Sequence, residues 1–94
     1  MNKIIATGKV VSNPELKQIK EDSQVCQFRF VIKNVKDVFI DVEVWGKQAE
    51  IAAKHLHRGK PLLIEGYLKQ DQWEKDGEKR SKIYIGLDRF EFLN

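Results

Sequence analysis

Hydrophobic and polar positions alternate most clearly over residues 25–32, where Cys26, Phe28, Phe30 and Ile32 fall on one side and Gln27, Arg29 and Val31 on the other. A period of two over that length predicts a half-buried strand. After a polar break at residues 33–37 the pattern resumes over 38–45. There Val38, Ile40, Val42 and Val44 take the core side, and Phe39, Asp41, Glu43 and Trp45 the other. The chain opens on a β-branched run over residues 4–11, and Gly8 within it predicts a bend or a close backbone approach. Ser12-Asn13-Pro14 is turn chemistry, because Pro14 pushes Asn13 out of the helical region. The polar stretch 17–23, with charges alternating and no apolar period, reads as a loop or an edge.

The period then changes. Ala49, Ala52, Ala53 and Leu56 recur at i, i+3, i+4 and i+7, a helical stripe of mostly small residues. Lys54 and Arg58 lie late in that helix, where cations suit its dipole, with Gly59 as a C-terminal stop and Pro61 beyond. A fourth strand is predicted over 62–72, bent at Gly66. Asp76-Gly77 caps a charged hairpin, a fifth strand covers 81–87, and the alternating tail 89–93 is expected to pack back onto the sheet. The order β-β-β-α-β-β predicts an all-β fold: one domain over residues 1–94, a five-stranded Greek-key barrel of the OB type with one α-helix between strands three and four. Small side chains suit a helix that plugs a barrel end, where close approach matters more than bulk.

Composition narrows the function classes. With 41% hydrophobic and 33% charged residues the chain has enough apolar material for a core and too much for a disordered tail. No apolar run approaches the roughly 18 residues of a membrane span, and no signal-peptide core follows Met1, so a membrane or secreted protein is not expected. The single cysteine, Cys26, excludes an internal disulfide and cannot make a structural zinc site alone, which points to the cytoplasm. Seventeen Lys and Arg against fourteen Asp and Glu leave +3, which permits an acidic partner without demanding one. Catalytic constellations are missing. His55 and His57, two apart on the predicted helix, point to different faces; Cys26 alternates with core phenylalanines; Asp41 and Glu43 share a strand face with no helper in sight. Neither an enzyme nor a metal, cofactor or small-molecule substrate is expected.

The outer side of the third predicted strand is the informative feature. A plainly solvated face would not carry Phe39 and Trp45. Barrel curvature accounts for the burial of one of them more readily than of both. Trp73 sits beside the hairpin tip with no apolar neighbour. Exposed rings on a barrel sheet take unpaired bases, each worth roughly 1–3 kcal/mol, while basic side chains track the backbone. Lys3, Lys9, Arg29, Lys33, Lys47, Lys69 and Arg80 are the candidates for that second role, with Lys79 and Lys82 nearby in sequence. Asp41, Glu43 and Asp71 repel phosphate, so few phosphate contacts and a shallow salt dependence are expected. The alternative use of the same rings is a protein-binding surface.

These residues also carry a resemblance. Asn2-Lys3-Ile4-Ile5, Gly8 and Asn13-Pro14-Glu15-Leu16 resemble the opening of the bacterial single-stranded DNA-binding proteins. The run 39–47, then Ala49-Glu50 and Ala52-Ala53, resembles their third strand and helix, and Gly59-Lys60, Ile64-Glu65-Gly66, Asp76-Gly77 and Arg80 continue the match in order. The resemblance implies single-stranded DNA as partner, in DNA replication, repair or recombination. It also implies an OB barrel that assembles through its first strand into a homo-oligomer, a tetramer or a dimer, in the cytoplasm at the nucleoid. By the same likeness the stacking aromatics fall on Phe39, Trp45 and Trp73, and basic contacts carry over to Lys3, Arg29, Lys47 and Lys69. Family members typically continue into an acidic tail that recruits replication and repair proteins. This chain stops at Asn94, so no such hub role is expected of it. A short loop after the second strand and Gln70-Asp71-Gln72 before Trp73 also depart from the family. A short barrel of this kind resembles the primosomal replication-restart protein as well, which acts through protein contacts with a helicase. An RNA-binding barrel of the cold-shock kind stands as a third reading.

Overall fold

The computed structural model describes residues 1–93. Six strands and one helix follow in the order β1 (Ile4–Val10), β2 (Glu15–Lys20), β3 (Ser23–Ile32), β4 (Val38–Trp45), α1 (Lys47–His55), β5 (Pro61–Lys75) and β6 (Glu78–Phe92). They form one sheet ordered β1-β5-β6-β4-β3-β2, which closes on itself because β1 also pairs with β3 through Gly8↔Ile32, Lys9↔Val31 and Val10↔Phe30. The closure depends on a missing side chain. A Cβ on Gly8 would collide with the Val31 carbonyl oxygen and lie 2.9 Å from the Phe30 ring. The close approach expected at this glycine is therefore where the barrel shuts.

The expected all-β barrel with its helix between the long third and fourth strands is what the chain forms. The polar stretch read as a loop or an edge is the edge strand β2, exposed along its whole length and paired with β3. Since β1 pairs with β3 at residues 30–32 and β2 carries on along β3 from residue 27 to 23, the two are halves of one first strand, broken at residues 11–14. The core is filled from every strand except β2, with Val10, Phe30, Val42, Leu62, Ile64 and Ile85 all fully buried. Phe28 and Phe30, next to each other on the inner side of β3, meet edge to face at 6.5 Å.

The helix plugs the barrel through Ala49 and Ala52, both at 0% exposure, where methyl groups let its backbone come close. It is shorter than the alanine stripe predicts. Leu56 turns extended (φ −91°, ψ 147°) and sinks into the core, so burial of one leucine ends the helix before Gly59. His57 and Arg58 are thus outside the helix, not in its last turn. Val38, expected in the core, is half exposed at the start of β4.

β5 and β6 exceed their predicted lengths. They pair continuously from Leu62↔Phe92 to Lys75↔Glu78, with one register shift at Glu65/Gly66, and the tail expected to pack back is the last part of β6. Asp76 (φ 53°) and Gly77 (φ 79°) make the tight turn. Residues 70–83 are exposed on both faces, so this hairpin stands out from the barrel as an arm.

Candidate nucleic-acid interface

Cross-strand partners share a face, so the register defines the outer surface of the barrel. Opposite β4, Phe39 faces Val31, Asp41 faces Arg29, Glu43 faces Gln27 and Trp45 faces Val25. β6 lies on the other side of β4, joined to it only at Val42↔Ile85 and Glu43↔Gly86. Beyond it, β5 sets Lys69 against Tyr84, Asp71 against Lys82 and Trp73 against Arg80. Alternate residues of four strands thereby face one way. The three rings singled out in the sequence are all open: Phe39 is 54% exposed, Trp45 47% and Trp73 44%. Phe39 and Trp45 are six positions apart, about 20 Å along the strand, too far for one flat group to lie on both.

Between the rings lies a connected set of ion pairs. Asp41 takes Arg29 on one oxygen at 2.8 Å and Lys82 on the other at 2.6 Å. Burial pushes the Asp41 carboxyl up, but Lys82 and Arg29 outweigh it and hold it below its ordinary value. Glu43, 8% exposed, accepts the Lys69 ammonium at 2.8 Å and the Trp45 indole N–H at 3.0 Å, both on Oε1. That bond to Glu43 raises the Lys69 ammonium above its usual range against the opposing effect of burial. Tyr84 donates its hydroxyl to Asp71 at 3.1 Å, and the Lys69 ammonium lies 5.4 Å from the Tyr84 ring centre. A cleft of about 330 Å³ opens where β4 and β6 part, walled by Arg29, Asp41, Glu43, Asp71, Lys82 and Tyr84.

Other cations lie at the margins. Lys9, Lys33 and Arg58 line one shallow recess with Phe39. Of these only Lys33 has an acidic partner, Asp37 at 3.2 Å on the surface. Lys79 and Arg80 flank Trp73 on the arm, Arg80 with a long 3.5 Å contact to Glu78. Lys47 opens α1 two residues after Trp45 and is exposed. Lys3 stands apart, held by Glu65 at 2.7 Å, where β1 meets β5 eight residues from Trp73.

Arg58 is the residue that sequence reading missed, having been placed in the helix. Its backbone N–H donates to the Asn13 side chain at 3.2 Å and Gly59 donates to the Val10 carbonyl at 2.7 Å, which fixes this turn against the end of β1. Lys82 and Tyr84 also line the central cleft, and the alternation Arg80, Lys82, Tyr84 is the signal that marks them. Cys26 is fully buried, and burial pushes its thiol up to about 11, so it takes no part.

Comparisons with known proteins give the family of the chain. The model of the single-strand binding protein family matches residues 1–93. The chain is 33% identical to single-stranded DNA-binding protein 1 of Synechocystis sp., over 99% of this chain and 84% of that protein. Against the single-stranded DNA-binding protein of Aquifex aeolicus it is 30% identical, over 100% of this chain and 71% of that protein. The relative from Treponema pallidum is 30% identical over 99% of this chain, which spans 58% of that protein's length.

Proposed function

Because the chain belongs to the single-strand binding protein family, we propose that it binds single-stranded DNA with little sequence preference, in replication, repair or recombination. The observation that carries this reading is a set of three half-exposed rings on the outer face, Phe39 and Trp73 with basic side chains alongside and Trp45 bonded to Glu43 between them. Bases stack on Phe39, Trp45 and Trp73. Every base has a π-face, so stacking tolerates any sequence. Phosphates are met by Lys9, Lys33, Lys47, Arg58 and Arg80, which have weak acidic partners or none. Arg29 and Lys69 lie under the same strand but spend their charge on Asp41 and Glu43, and Lys3 spends its own on Glu65. Five phosphate contacts at about 0.7 each give a salt slope of roughly −3.5.

The protein acts as a binding module in the cytoplasm, at the nucleoid, with replication or restart proteins as further partners. The chain assembles with its own copies through the first strand. Residues 4–7 of β1 pair with β5 alone, and their other edge is open. A primosomal restart role through helicase contacts is the weaker reading, since the curated relatives described above are named for DNA binding.

Trp45 and Trp73 are the two tryptophans of the chain, so intrinsic fluorescence reports on the proposed stacking directly. Oligo(dT) quenches it and duplex DNA of equal length does not. Absence of quenching by the single strand overturns this reading and moves the rings to a protein interface.

A further inference from the structure

Glu43 is the single buried charged residue among the described residues, and it sits at the centre of the outer face rather than in the core. One of its oxygens, Oε1, accepts two donors from different strands: the Trp45 indole N–H of β4 at 3.0 Å and the Lys69 ammonium of β5 at 2.8 Å. The indole N–H lies in the ring plane, so a fixed acceptor sets how that plane tilts. Trp45 is 47% exposed and Val25 is its cross-strand partner, which leaves the tilt otherwise weakly determined.

Lys69 has the opposite problem. It has to reach across β6 to Glu43, along the Tyr84 ring. Leaving that position for a phosphate would abandon a buried carboxylate without its cation, which is far more costly than losing a surface pair. Phosphate arriving at Lys69 also meets Glu43 itself and, two residues along β5, Asp71.

We propose that Glu43 is a positioning residue of the single-strand site, holding the Trp45 ring in its stacking orientation and retaining Lys69 as its own counter-ion, so that Lys69 orders the stacking platform and does not neutralise a phosphate. The inference rests on the single-stranded DNA reading above and deepens it. The face divides into a centre whose cations serve the acids beneath the bases and a margin whose cations serve the backbone. Lys69 is thus needed for affinity and invisible to salt.

Salt separates these roles, because only a cation that displaces counterions from DNA enters the slope of log K against log salt. Oligo(dT) binding is followed across a salt series in a Trp73→Phe background, where Trp45 alone reports. Lys69→Ala weakens binding several-fold with the slope unchanged. Glu43→Gln keeps an acceptor for the indole, so the near-UV circular dichroism of Trp45 is retained. With the carboxylate gone, Lys69 turns to phosphate and the slope steepens by about 0.7. Adding Lys69→Ala to Glu43→Gln returns the slope to its starting value. A slope about 0.7 shallower in Lys69→Ala alone makes Lys69 a phosphate ligand and overturns the proposal. An unchanged slope in folded Glu43→Gln does the same. The Lys69→Ala arm decides alone should Glu43→Gln not fold. Failure of the unmutated chain to bind oligo(dT) is a different result, which removes the single-strand reading itself.

Discussion

Asp41→Asn tests most directly whether the centre of the face is neutralised from within. Asp41 holds Arg29 at 2.8 Å and Lys82 at 2.6 Å, with side-chain exposures of 32% for the acid and 49% and 50% for the cations. Pairs this open are screened, so each contributes no more than about 1 kcal/mol and the amide variant stays folded. DNA binding responds more. The substitution frees two cations whose charge now has no internal acid, and each that finds a phosphate adds about 0.7 to the salt slope, about 1.4 for both. Over a fourfold rise from about 50 to 200 mM salt, that difference is about sevenfold in affinity (four to the power 1.4). Fluorescence titration of both proteins with one oligo(dT) length over that range measures it. The variant binds more tightly at low salt, and the two lines converge as salt rises. Parallel lines refute the reasoning, since they mean that Arg29 and Lys82 reach phosphate with Asp41 present or do not reach it at all.

Acid unfolding of the same pair of proteins gives a second outcome. The folded Asp41 carboxyl lies below its ordinary value of 3.8, so its stabilising contribution is complete above that pH and is lost as pH falls through the lowered folded value. The stability gap between the unmutated chain and Asp41→Asn therefore closes in that acid window. Trp45→Ala weakens binding by about 1–3 kcal/mol, equally for dT and mixed-base oligonucleotides, as titration on the remaining tryptophan shows. Arg58→Ala makes the salt slope shallower by about 0.7 with thermal stability unchanged. Gly8→Ala forces a Cβ into the Val31 carbonyl and opens the β1–β3 closure, lowering stability by about 2 kcal/mol or more in chemical denaturation.

The parts of the fold visible in the sequence are those where one strand face is buried and the other is not. β3 and β4 show it most clearly: the alternation assigned Cys26, Phe28 and Phe30 of one and Val42 and Val44 of the other to the core side, where they lie buried, while the register between the strands is seen only in the fold. β2 has no buried face, so hydrophobicity carries no period there and only its pairing with β3 makes it a strand. The arm at 70–83 is obscured for the same reason: both faces meet water, and cross-strand pairing with the polar contacts of Asp71 and Lys82 sustains it. The end of the helix was misjudged because Gly59 has the right chemistry for a stop, while the actual stop is the burial of Leu56, a tertiary effect. Arg58 was lost with it.

The rings of the site were legible because an aromatic on an outer face contradicts its own solubility, which a single sequence displays. The acids were legible as residues but not as partners. Lys82 and Asp41 are 41 positions apart and meet across the β4–β6 crossover, so their pairing is a property of the closed barrel. This changes what the acids do. Read along the chain, Asp41 and Glu43 dilute a basic surface and oppose DNA. In the folded protein they are occupied, Asp41 by two cations and Glu43 by Lys69 and the Trp45 indole, so their charge is largely cancelled before any strand arrives. A face neutral at its centre places binding energy in stacking, which salt hardly screens, and leaves phosphate contact to marginal cations that it does screen. Exposed cations at every one of these positions would give tighter binding at low salt and a steeper loss at high salt. An affinity that declines gently with ionic strength is thus the outcome expected from the barrel register, through the acids that the register places beside Arg29, Lys69 and Lys82.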